Sequence, residues 1–181
     1  MNKPPNKRLI INKEKSSIQK RIKMFFDNIK NIAEYKTNDI QSNLITIYEL
    51  RTKIYEELNQ LQHAYLIILA AEELKKEHKE INIWFWHPEQ TSSLGYTDLT
   101  GFCNDKVILR AEVTTSAKPQ GSIDTRMYNV LEKLNDYPGL KYYYVVTKEM
   151  KQRAEIKKRK HNYNVEIRLI GKLKRNIVSK Y

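Results

Sequence analysis

Cysteine is almost absent: Cys103 stands alone among 181 residues. A single thiol excludes an internal disulfide framework and a cysteine-rich zinc site, and it points to a reducing, cytoplasmic setting. No run approaches the roughly 18 apolar residues of a membrane span, so no membrane role is expected. Residues 1–10 are basic but lack the apolar stretch of a secretory leader, and none is expected there. From Ile40 to Lys79 there is neither glycine nor proline, so nothing in that stretch punctuates a helix. No internal repeat is visible.

What the chain has in excess is positive charge. The formal net charge is +12. Residues 1–40 carry 10 Lys/Arg against 4 Asp/Glu, residues 41–147 carry 11 against 14, and residues 148–181 carry 12 against 3. Cations therefore gather at the two ends, and the centre is slightly acidic. Such ends neutralise phosphates and release condensed counterions, which gives sequence-independent affinity for nucleic acid. An acidic centre suits a cation site within such a binder. Plain solvated charge is the competing explanation, and an acidic protein or an anionic surface would also be served.

Residues 1–15 read as a flexible arm. Ser16 with Gln19 looks like a capping box. Ile18, Ile22, Phe25, Phe26, Ile29, Ile32 and Ala33 then recur at helical spacing. Asn38 with Gln41 gives a second capping signal, ahead of one long helix from Ile40 to Lys79. Its Ala64–Ala71 stretch is apolar on all sides and is expected to be buried. Strands follow at Ile81–Trp86, Gly95–Phe102 and Lys106–Thr115, the last two forming a hairpin about Asn104-Asp105. Ser122 caps a helix from Ile123 to Asn135. Tyr142–Thr147 reads as a strand covered on both faces. A basic helix (Lys148–Lys160), a last strand (Val165–Ile170) and a basic tail (Lys172–Tyr181) complete the chain. The expected fold is α/β, a mixed central sheet flanked by helices, with an N-terminal helical extension. Residues 1–40 would form a basic arm and amphipathic helix, and residues 41–181 the α/β domain.

The strand through Glu112 carries the chemistry. Val107, Leu109, Ala111 and Val113 fall on one face by the period of two, and Arg110, Glu112 and Thr114 on the other. On the preceding strand Tyr96, Asp98, Thr100 and Phe102 share a face. A tight hairpin brings Asp98 and Glu112 near one another. Two carboxylates held close repel, and they are best served by a hard cation such as Mg²⁺. That cation can polarise a phosphate oxygen and lower the pKa of a bound water, as phosphodiester hydrolysis requires.

With these residues in view, the chain resembles the PD-(D/E)xK, or restriction-endonuclease-like, nuclease superfamily. The matching stretches are Gly95–Gly101 (GYTDLTG) and Ile108–Thr115 (ILRAEVTT), and the likeness runs from about Tyr48 to Thr147. It implies that Asp98 and Glu112 hold the catalytic metal, Mg²⁺ with Mn²⁺ as substitute. It implies a DNA endonuclease of restriction, repair or junction type, with a homodimer as one form and the N-terminal helix as its interface. Two positions depart from the pattern. Thr97 replaces the proline before Asp98, and Thr114 replaces the usual lysine. Lys118 is then the first substitute for the missing cation, followed by Arg126 and Arg110. A helix glutamate often joins the site in this family, which makes Glu57, Glu73 and also Glu72 candidates. Ordinary solvated helix glutamates are the competing explanation.

Lys157, Lys158, Arg159 and Lys160 are the foremost phosphate-contact candidates, followed by Lys172, Lys174 and Arg175. Of the histidines, His63 is expected to pack against the long helix's neighbour, and none is assigned chemistry. The alternative function is a nuclease-like module that has lost catalysis and only grips nucleic acid, with Thr114 as its mark. RNA is left open as the ligand.

Overall fold

The computed structural model describes residues 7–34, 39–88 and 97–170. Two helices come first, α1 (Ile11–Glu34) and α2 (Ile40–Glu77). There follow β1 (Ile83–Trp86), β2 (Leu99–Cys103), β3 (Lys106–Val113), α3 (Ser122–Asn135), β4 (Leu140–Val145), α4 (Lys148–His161) and β5 (Glu166–Leu169). The strands form one sheet in the order β1-β2-β3-β4-β5. β1, β2 and β3 are antiparallel neighbours, and β3, β4 and β5 run parallel. The protein is therefore α/β, with a mixed sheet and four helices, as the element order predicts.

The three tyrosines of β4 show how the layers arise. Successive side chains on a strand point to opposite faces. Tyr142 and Tyr144 enter a core with Leu66, Ile67, Ala70 and Leu74 of α2, joined by Trp84, Leu109 and Ala111. Tyr143 and Val145 enter a second core with Met127, Leu131 and Leu134 of α3 and Met150 and Ala154 of α4. The unbroken apolar run of β4 thus serves two cores at once.

Helix starts differ from expectation. Ser16 and Gln19 lie inside α1, which already begins at Ile11. The reason is that residues 7–9 are held along β1: Leu9 N–H donates to Trp84 O (2.7 Å), and Trp86 N–H donates to Lys7 O (3.2 Å). Leu9 is buried with Ile18 in the same core as α2, so residues 7–10 are no free arm. Asp39 caps α2, its side chain accepting from the Gln41 and Ser42 amides. Asn38 lies outside the described residues. Gly121, not Ser122, occupies the N-cap position of α3, with no side-chain cap bond.

The β2–β3 hairpin turns on Asn104 and Asp105, with φ of 49° and 62°, the left-handed pair that a two-residue turn needs. Leu99 pairs with Ala111, Thr100 with Arg110 and Gly101 with Leu109, but Phe102 pairs with Val107. Ile108 is therefore the extra residue of a bulge. Gly139, at φ 84°, lies against it: a Cβ there would stand 2.5 Å from the Ile108 carbonyl oxygen. β2 and β3 are shorter than expected, and residues 95 and 96 lie outside the described residues.

Candidate functional site

Beyond the Leu99–Ala111 pair, the next opposed positions are Asp98 and Glu112. Their carboxyl groups hydrogen-bond to one another. Both are buried, Asp98 at 0 % and Glu112 at 3 % exposure. The hairpin and its bulge at Ile108 thus bring the two sequence-predicted acids to one spot.

Asp98 is held from two sides. Its Oδ2 accepts from the Val113 amide (2.7 Å) and from His63 Nε2 (3.2 Å). His63, on α2, also has Nε2 3.1 Å from Val113 O and Nδ1 3.3 Å from Pro88 O. Carbonyl oxygens only accept, so the doubly protonated ring suits this setting. Burial opposes the positive charge. The Asp98 hydrogen bond and negative charge, with the two carbonyls, outweigh it and raise the His63 pKa above its ordinary value.

Glu112 behaves as a carboxyl without water and beside an anion. Burial first, then the Asp98 charge, push its pKa up to about 8, against the pull of Lys133. Lys133 Nζ lies 2.9 Å from Glu112 Oε1. It comes from α3, one turn beyond Val130 on the helix side that faces the sheet. A lysine therefore reaches Glu112 from another element, while Thr114 stands two residues beyond it on the chain.

The expected substitutes fare differently. Lys118 is exposed in the β3–α3 loop and makes no ion pair among the described residues. The loop is drawn away where Thr147 Oγ1 donates to Ala117 O (2.7 Å). The Thr114 hydroxyl accepts from the Ser116 amide and meets the Tyr143 hydroxyl. The Arg110 guanidinium lies over the Tyr137 ring, 3.9 Å from its centre. Arg126 is exposed and lines a cleft of about 460 Å³ with Glu112. The other walls include Asn59 and His63 of α2, the 113–116 segment, Tyr143 of β4, and Ile123 and Val130 of α3. A larger groove, about 630 Å³, runs between α1 and α2, but its Arg21 and Glu57 are already paired with each other (2.9 Å).

None of the helix glutamates joins the two acids. Glu57 is bound to Arg21, Glu72 to Lys15 (2.6 Å), and Glu73 to Arg168 (2.9 Å) and the Tyr144 hydroxyl (3.0 Å). Glu73 lies ten residues beyond His63, roughly 15 Å along the helix. His63 takes the helix position facing Asp98. Its signal in the sequence was slight: one histidine at the border of an apolar run. Lys133 left a clearer trace, lying seven residues after Arg126 beside the apolar stripe of α3.

The basic candidates divide. Lys157 is spent on Asp124 (3.0 Å), with Arg153 bidentate on the same carboxylate. Lys158 lies 4.0 Å from Glu155. Arg159 and Lys160 are exposed at the end of α4. Lys172, Lys174 and Arg175 lie outside the described residues. Among the described residues no helix is long and apolar enough to cross a membrane, and no group of three or more His, Cys, Asp or Glu side chains is arranged to hold a metal. Compared with known protein families, curated proteins and solved structures, the chain matches none.

Proposed function

We propose that the chain is a metal-dependent deoxyribonuclease, hydrolysing phosphodiester bonds on a restriction-endonuclease-like core. The observation behind it is the opposed Asp98–Glu112 pair, with Glu112 lining a cleft and the Lys133 amine upon it. The donor set suits a hard divalent cation, Mg²⁺ or Mn²⁺ in its place. Two carboxyls are pressed together, one of them kept protonated by burial and by its neighbour's charge, and Val113 O lies beside Asp98 Oδ2, both within 3.2 Å of one His63 nitrogen. Mg²⁺ needs only one or two such carboxylates and keeps several waters. When bound, it would polarise a phosphate oxygen and lower the pKa of a water.

The chain's own residues supply the rest. His63 and the Val113 amide fix Asp98 in place. Glu112 gives its proton to solvent on turning to a cation. Lys133, released from Glu112, brings a positive charge to the phosphate that Thr114 cannot. Arg126 on the cleft wall grips a flanking phosphate. Arg159, Lys160 and the 172–175 cluster track the DNA backbone.

A second reading has one observation in its favour. His63 and Lys133 already hold both carboxyls by hydrogen bonds, as they would in a nuclease-like module that binds nucleic acid without cutting it. Incubation of plasmid DNA with Mg²⁺ separates the two. The wild-type chain nicks or linearises the plasmid. Asp98→Asn and Glu112→Gln lose at least about 100-fold, beyond the 10–100-fold typical of groups that merely support metal ligands. Lys133→Met is also slowed. Equal cleavage by all four proteins overturns the assignment. Salt-sensitive retention of DNA or RNA with no cleavage selects the binding module.

A further inference from the structure

The α2 wall of the cleft carries more than the histidine that holds Asp98. Tyr55, Asn59 and His63 follow at steps of four, so they stand one above another on one helix face, and all three line the cleft. Asn59 is half-buried one turn from His63, and its amide makes no hydrogen bond among the described residues. Tyr55 is 70 % exposed. It lies eight residues from His63, roughly 12 Å along the axis, and its ring meets no other ring and no cation among the described residues. The opposite wall differs. There Arg126 is exposed and makes no ion pair among the described residues, beside the apolar Ile123 and Val130.

The cleft thus offers a cation from α3 and, from α2, an amide and an aromatic ring. A nucleotide has a counterpart for each: a phosphate for the guanidinium, a base edge with donor and acceptor for the amide, and a flat face for the ring. A base inside a duplex presents neither its face, covered by its neighbours, nor its Watson–Crick edge. A cleft of about 460 Å³ is also of the size that encloses one small ligand. We propose that it takes an unpaired nucleotide beside the cleaved bond, in a single strand or swung out of a duplex. The base stacks on Tyr55, and Asn59 holds its edge. The proposal deepens the nuclease reading and rests on it for the place of the phosphate, but the grip on the base needs no metal. A supercoiled plasmid supplies such nucleotides where it melts locally.

Fluorescence anisotropy of the full chain in metal-free buffer tests it, with two labelled strands of equal length. One is thymidylate and the other is base-free deoxyribose phosphate. Their charge is the same, so phosphate contacts alone bind them alike. The wild type binds the thymidylate strand more tightly, by roughly 5- to 150-fold, as one stacked base predicts. Tyr55→Ala, at an exposed position, closes that gap, and Tyr55→Phe, which keeps the ring, preserves it. Asn59→Ala narrows it by roughly 2- to 10-fold. The thymidylate strand annealed to its complement is bound equally by the wild type and Tyr55→Ala. Equal binding of both strands by the wild type, a gap undiminished in Tyr55→Ala, or a duplex weakened as much as the single strand overturns the proposal. Absence of plasmid cleavage with the gap intact sinks the nuclease reading and leaves the base grip standing.

Discussion

The two halves of α2 are alike in composition and opposite in fate. Ile47, Leu50, Ile54 and Leu58 in the first half are as apolar as Leu66, Ile67, Ile68 and Leu74 in the second, yet Ile47 and Leu58 are exposed and the second set is fully buried. Length explains the difference. Thirty-eight residues make a helix of roughly 57 Å, whereas β3, the longest strand with eight residues, spans roughly 26 Å. The helix overshoots its sheet. Beyond the sheet, among the described residues, only α1 covers it, and on one side. Hydrophobicity decides that a side chain seeks cover; topology decides whether this chain provides it.

One substitution placed twice sharpens that contrast most. Ile67→Ala, in the covered half, should cost about 2–5 kcal/mol of unfolding free energy. Ile47→Ala should change it by less than about 0.5 kcal/mol in the monomer. Urea titration of both at low protein concentration measures the gap, and equal losses would break the comparison.

Burial on the opposite, α3-facing side of the sheet strips water from Glu112, which links packing to pH. A carboxyl with a folded pKa of about 8 and an ordinary value of 4.5 binds its proton more tightly in the folded state. Stability should therefore fall as pH rises from 4.5 to 8 and level off above, with a slope approaching ~1.4 kcal/mol per pH unit. The raised His63 pKa acts in the same direction, its stabilisation being lost as pH rises through the folded value. Glu112→Gln removes only the carboxyl contribution, so its urea midpoint should decline less between pH 5 and pH 8 than the wild type's. Parallel declines would place Glu112 in contact with water after all.

A small effect also belongs to the start of the exposed half. Asp39→Ala removes the cap of α2, with the loss in helicity read by circular dichroism confined to the first turns.

Much of the fold is legible because it depends on local pattern. Alternation in Val107–Val113 separates Glu112 from the core side chains. A stretch free of glycine and proline gives α2, and Asn104-Asp105 gives the hairpin that sets β2 beside β3. What is not legible depends on contacts distant in sequence. Lys118 is near Glu112 along the chain but faces solvent, while Lys133, 21 residues away, reaches Glu112 because α3 folds back over the sheet. His63 meets Asp98 across 35 residues for the same reason. Ser16 resembles a cap, yet pairing of residues 7–9 with β1 starts the helix earlier. A capping pattern states where a helix can begin, and tertiary pairing states where it does.

The bulge at Ile108 has a chemical outcome. Counted outward from the Cys103–Lys106 pair, an unbroken ladder would set Asp98 opposite Ala111, whose side chain enters the core beneath α2. The carboxylate would face a methyl group, and Glu112 would have no anionic neighbour. One looped-out isoleucine advances the count by a single position and so converts two acids of unrelated orientation into a pair. Gly139, in the turn before β4, leaves room for that loop and thereby governs how the two acids line up.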